Sequence, residues 1–144
     1  MAYIKYGVQE RNVKLKLDKK LHGHTIISSN EYHAFLLLRK PLDVFKKVVL
    51  RYCPWDNDII AFLHLPVGTL VHYDPKDIKL RCNFAIVMGF NKDVSQCRSV
   101  YDRSFVYRPA NIVQPKYKFS MRRGVCSSGI HFFLEHEQAV KYAT

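Results

Sequence analysis

The chain has 144 residues, 48% of them hydrophobic, with 23 Lys and Arg against 12 Asp and Glu and a formal charge of +11. A chain of this length forms one domain and buries roughly 70% of its unfolded surface, which excludes disorder and the need for staples. A field of this sign attracts phosphate backbones, anionic membranes or acidic partners.

Val13-Lys14-Leu15-Lys16-Leu17 alternates apolar and basic residues, which predicts a strand with one wet face carrying Lys14 and Lys16. Thr25 to Ile27 is a second short strand. Glu31 to Leu38 is a buried element, either strand or helix, with Asn30 as a candidate helix cap. Leu42 to Tyr52 fits both periodicities. Ile59 to Leu65 and Leu70 to Tyr73 read as strands, ended by Pro66 and by Asp74-Pro75. Leu80 to Phe90 is β-rich, with Gly89 a candidate bulge. Phe105 to Tyr107, Ile112-Val113 and Gly129 to Leu134 are further strands, and Glu135 to Tyr142 is a helix whose charges suit its dipole. Nine Tyr and nine Phe fit a pleated surface. The fold class is α+β: a mainly antiparallel β-sheet with a C-terminal α-helix in a single domain.

The four cysteines form no C-x-x-C pair, and the start, Met1-Ala2-Tyr3-Ile4-Lys5-Tyr6, lacks the apolar region of a signal peptide. We therefore expect reduced thiols. The longest apolar run, Ile59 to Val71, is too short to span a bilayer, so no membrane partner is expected.

Several segments in order carry a family resemblance. They are Val44 to Val48, Ile59 to Pro66, Leu80 to Val87, Tyr101 to Tyr107, Ile112 to Pro115, and the run Cys126-Ser127-Ser128-Gly129-Ile130-His131-Phe132-Phe133. With these, residues 41–144 resemble a domain of unknown function found in nucleocytoplasmic large DNA viruses of amoebae, where it often follows pentapeptide repeats. Residues 1–40 form a β-rich N-terminal extension to that unit. The resemblance implies a viral protein in the virion or the infected host cell, in the cytoplasmic virus factory or the nucleus. It implies no catalytic residues. The family usually has glycine where Ala110 stands, so the turn after Tyr107 is expected to differ.

The Cys126 to Phe133 run gathers groups that could do chemistry. Cys126 could act as nucleophile with His131 as base and Asp102 as its orienter. Cys126, His131 and His136 could hold zinc, although metal sites show tighter ligand pairs. Strand alternation favours packing instead: Ile130, Phe132 and Leu134 on one face, His131 and Phe133 on the other. Gly129 would then permit a positive φ or a close approach, and Val140 with Ala139 would face the sheet. No catalytic residue, metal ligand or cofactor is assigned.

The functional expectation rests on the stretch from Arg103 to Leu134, which contains no acid. It carries Arg103, Arg108, Lys116, Lys118, Arg122 and Arg123, interleaved with Phe105, Tyr107, Tyr117 and Phe119. Cations track phosphates while rings stack on bases, so this pattern suits single-stranded nucleic acid bound without sequence specificity. Lys14 and Lys16 would extend the basic face. A viral or host protein partner is the alternative, the domain serving as an adaptor. A homodimer through the N-terminal strands is also expected.

Overall fold

The computed structural model describes residues 15–53, 55, 58–121 and 128–142. Its eleven strands join one antiparallel sheet. In chain order these are β1 (Thr25–Ser29), β2 (Ala34–Leu37), β3 (Leu42–Val49), β4 (Ile59–Leu65), β5 (Leu70–Tyr73), β6 (Lys79–Cys82), β7 (Ala85–Phe90), β8 (Cys97–Ser99), β9 (Val106–Tyr107), β10 (Ile112–Val113) and β11 (Ile130–Phe133). One helix, α1 (His136–Lys141), follows them. The main path runs β10-β7-β4-β3-β11-β6-β5-β2-β1, and β8 joins β3 to the short β9. The expected α+β class is what the chain adopts.

The ambiguous segments resolve as strands. Leu42 to Val48 pairs with β4 from Leu42↔Leu65 to Val48↔Ile59 without a break in register. Asn30 caps no helix. Its Oδ1 accepts the backbone N–H groups of Tyr32 at 2.7 Å and His33 at 3.1 Å, and so folds the turn between β1 and β2. An Asn side chain can mimic a backbone turn in this way. Leu15 to Leu17 is not a strand; Leu15 and Leu17 pack on the core while Lys16 is exposed, its carbonyl accepting the Tyr73 hydroxyl at 3.2 Å. Lys14 lies outside the described residues. Strand β8 has no strand pattern of its own beyond Cys97, and pairing rather than sequence defines it.

Side-chain alternation gives the sheet two different faces. One face carries the main core: Leu36, Val44, Val48, Leu63, Val71, Leu80, Cys82, Val87, Ile130 and Phe132, all buried. The opposite face is covered in two patches. Helix α1 lays Ala139 against Ile60 and Phe133, with Phe45, Phe62 and Tyr142 around them. Val140, expected to face the sheet, is half exposed instead. The helix is only six residues long and would not form alone. It is held by the Gln138 side chain, which accepts the Glu135 N–H at 3.1 Å, and by Lys47, whose ammonium donates to the carbonyls of Val140 at 2.9 Å and Tyr142 at 2.6 Å.

The second patch centres on Arg81, which is 2% exposed. Its guanidinium donates to the carbonyls of Ser120 at 2.5 Å and Ser128 at 3.0 Å and lies over the rings of Phe119 and Phe35. Burial pulls its pKa down to about 10, still high enough to keep the charge at neutral pH. A Cβ on Gly129 would stand 3.0 Å from Arg81 Cβ. Gly129 therefore serves close approach, not a positive φ.

In the turn after Tyr107 an alanine holds the conformation that glycine favours. Ala110 has φ +68°, a left-handed conformation that glycine adopts freely and alanine does not. The turn holds because Ala110 N–H donates to Val87 O at 2.7 Å and Val87 N–H donates to Asn111 O at 2.9 Å. Left-handed alanine costs roughly 1–2 kcal/mol, and glycine returns part of that gain as unfolded-state entropy. Ala110→Gly should raise stability by about 0.5–1 kcal/mol in urea unfolding. A loss of stability would show that the Ala110 methyl makes contacts outweighing the strain.

Candidate functional site: a lysine-lined cavity at a strand fork

Strand β3 pairs along one edge with β4 from Leu42 to Val48, and its other edge is divided. Phe45 pairs with Phe133 of β11, while Val48 and Val49 pair with Ser99 and Arg98 of β8. Lys46 and Lys47 occupy the point where one partner gives way to the other. Beyond it β11 and β8 diverge and leave a cavity of about 720 Å³.

The cavity has three kinds of wall. The edge of β11 supplies Gly129, Ile130, His131 and Phe133. The segment from Ser99 to Tyr107 supplies Tyr101, Asp102, Phe105 and Tyr107. Pro115, Lys116 and Tyr117 form the rim, with Tyr142 from the end of α1 and Lys79 from β6.

Lys46 shares the core-facing side of β3 with Val44 and Val48. Its ammonium donates to His131 O at 2.7 Å, satisfying a β11 carbonyl at the unpaired edge, and lies 5.8 Å from the Tyr107 ring centroid. Burial, with a further push from Lys79, pulls its pKa down to about 8. Behind it, burial pushes the Cys82 thiol up to about 12 and raises the Tyr107 phenol. Both therefore stay neutral, and neither compensates the lysine.

Lys79 donates to the Tyr142 hydroxyl at 2.9 Å, and its ammonium lies 5.0 Å from the Tyr101 ring and 4.9 Å from the Tyr142 ring. The Tyr101 and Tyr142 hydroxyls are hydrogen-bonded, and this bond, followed by burial, raises the Tyr101 pKa. Among the described residues Asp102 is the one carboxylate lining the cavity. It is engaged at the rim: Ser104 Oγ donates to it at 2.5 Å and Ser104 N–H at 3.0 Å, and Lys116 stands 3.6 Å away. The Ser104 hydrogen bonds hold its pKa below the ordinary value. Lys46 and Lys79 have no carboxylate partner among the described residues, whereas Asp58 partly offsets the lowering that burial imposes on the Lys47 pKa.

The residues expected to bind nucleic acid divide into groups. Arg103, Arg108, Lys116 and Lys118 are all exposed. Arg103 and Arg108 sit on the β8–β9 hairpin, where Arg103 O accepts from Arg98 at 2.9 Å and Arg108 donates to Gln96 at 2.8 Å. Lys116 joins them through Asp102. Lys16 sits beside β5, on a separate part of the molecule. Arg122 and Arg123 lie outside the described residues. The interleaved rings are not one stacking platform: Tyr107 is buried, Phe105 packs on the core, and Phe119 lies under Arg81. Tyr117 alone of the four is exposed, at 71%, and Tyr101, which the basic-aromatic pattern missed, is 73% exposed.

His131 and Asp102 both line the cavity, whereas Cys126 lies outside the described residues. Among the described residues no three His, Cys, Asp or Glu side chains gather as metal ligands. No helix among them is long and apolar enough to cross a membrane.

A family model matches residues 32–139. The chain belongs to DUF5758, a family of unknown function. The match begins just before β2, so the DUF5758 unit takes in β2 through β11 and most of α1. No curated protein and no solved structure gives a significant match.

In this DUF5758 chain, Lys46 has a folded pKa below its unfolded value. The native state therefore sheds that proton first. Below pH 8 both states carry it and the burial penalty is complete; between about 8 and 10.5 the unfolded state binds more protons, so stability rises with pH. Lys46→Met removes this slope. The stability of the variant relative to the parent should fall by an order of 1–3 kcal/mol from pH 7.5 to pH 10.5. Cys82 and Tyr107 titrate in both proteins and largely cancel from the comparison. Urea unfolding at several pH values measures it, and a constant difference would mean that Lys46 titrates normally.

Proposed function

We propose that this protein is a non-enzymatic binding domain that takes nucleic acid electrostatically, without sequence specificity. The observation that carries this reading is the exposed face around the cavity rim. Lys116, Tyr101 and Tyr117 line the cavity, and Arg103, Arg108 and Lys118 are exposed close to them in sequence. Exposed cations with free rings suit single strands, whose phosphates the cations track and whose bases stack. The segment-by-segment resemblance to proteins of large DNA viruses of amoebae supports a viral setting, in the virion or in the virus factory or nucleus of the infected cell. Fusion to pentapeptide repeats in such proteins fits a module that binds rather than reacts.

With ~4 phosphates neutralised, the log-log salt slope should be about −3 on a single strand and about −4 on duplex. Lys116→Ala with Lys118→Ala should reduce the slope by ~2, and Tyr117→Ala should weaken single-strand binding more than duplex binding. Fluorescence anisotropy with labelled oligonucleotides reads all three. Absence of binding at low salt overturns the reading.

The second reading, a protein-binding adaptor or homodimer, is favoured by β1. All five of its residues are exposed, including Ile26 at 51% and Ile27 at 47%. Among the described residues its outer edge has no pairing partner. An exposed apolar edge strand is a template for pairing with a second chain. Ile26→Lys should then shift the sedimentation coefficient from dimer to monomer. A parent protein that is already monomeric at high concentration removes self-association and leaves only a different partner.

A further inference from the structure

The cavity at the fork holds a charge imbalance that the surface reading does not use. Lys46, Lys47 and Lys79 all line it. Lys47 spends its ammonium on two carbonyls at the end of α1. Lys46 and Lys79 are less fully engaged, with one hydrogen bond each among the described residues. An ammonium has three protons to donate, so each retains two. Neither has a carboxylate partner among the described residues, and repulsion from Lys79 adds to burial in lowering the Lys46 pKa. Charges drawn out of water are ordinarily paired, because an unpaired one is costly. A site serving only to pack would favour methionine at position 46.

The remaining walls are aromatic. Phe105, Tyr107 and Phe133 close the interior, while Tyr101 and Tyr117 stand exposed at the mouth. The volume, about 720 Å³, lies within the range of small-ligand sites and suits one compact molecule rather than a polymer. We propose that this cavity binds a small anion carrying a flat ring, with the chemistry of a nucleoside monophosphate. Lys46 and Lys79 take the anion, and Tyr101 and Tyr117 hold the ring. The site shares Tyr101 and Tyr117 with the rim, but its lysines are distinct from the rim cations Arg103 and Arg108, so substitutions at Lys46 and Lys79 test it apart from polymer binding.

Filling the site with an anion favours the charged form of Lys46. Binding therefore takes up protons near pH 8, and affinity declines as pH rises past that value. The groups facing Lys46 do not reverse this sign. Cys82 and Tyr107 stay neutral through that range. The phosphate itself is already doubly ionised there.

Adenosine monophosphate is the probe, titrated calorimetrically against the full chain, with adenosine and inorganic phosphate as its two halves. We expect one-to-one saturable binding of the monophosphate, at least ~10-fold tighter than either half, a factor corresponding to about 1.4 kcal/mol. Lys46→Met and Lys79→Met should each weaken it by ~10-fold, while oligonucleotide binding at the rim is retained. Lys79 is partly exposed, so its variant serves if Lys46→Met fails to fold, and thermal unfolding checks both. No saturable heat, or unchanged affinity in a folded variant, overturns the proposal. Adenosine as tight as the monophosphate would leave only an apolar pocket, and phosphate as tight would leave only an anion site; either also overturns it.

Discussion

A strand edge offers one row of hydrogen-bonding groups, and β3 divides one of its rows between two partners. β11 takes the first part of that edge and β8 the second. Two strands of finite width cannot share the same residues, so they splay apart at the division. Much else depends on this. The β11 carbonyl facing the gap needs a donor, and Lys46 supplies it. The end of α1 needs donors for its last carbonyls, and Lys47 supplies those from the opposite face of the same strand. The gap becomes a chamber because α1 and the Tyr101 to Tyr107 segment wall its sides.

The resulting electrostatics leave Lys46 facing no carboxylate among the described residues. A carboxylate near Lys46 would have made an ordinary buried ion pair. The neighbours are instead a thiol and a phenol that burial keeps neutral, with a second lysine close by. Asp102 reaches the chamber, but Ser104 and Lys116 hold it at the rim. A cavity of this kind favours an incoming anion over a neutral molecule, and the rings around it favour a flat anion over a compact hydrated one.

The strands with clear boundaries were legible in the sequence. Ile59 to Leu65 and Leu70 to Tyr73 coincide with β4 and β5, because proline or Asp-Pro ends each run. Gly89 sits at the register shift between β4 and β7, as a bulge residue should. Leu42 to Val49 was ambiguous because apolar residues at helical spacing also alternate well enough for a strand, and only pairing along β4 decides. The binding residues were legible in part. Arg103, Arg108, Lys116 and Lys118 are exposed, but most of their interleaved rings are packed inside. Lys46, Lys79 and Tyr101 come from segments far apart in sequence, on no common motif, and converge only through the order of strands. An adjacent pair of basic residues such as Lys46-Lys47 reads as a solvated surface until its strand is known to lie at the centre of the sheet.

That strand order has a consequence for how the chain is made. β11 lies between β3 and β6, yet it leaves the ribosome after every strand it joins. Until it arrives, the block ending in β3 and the block ending in β6 each present a bare interior edge, open to other chains. Such long-range closure is slow because loop entropy is lost before the contacts form. Folding of this sheet therefore completes only after synthesis of its centre. A nascent chain stopped just short of Ile130 would be a pair of unjoined half-sheets, and so a natural client for chaperones.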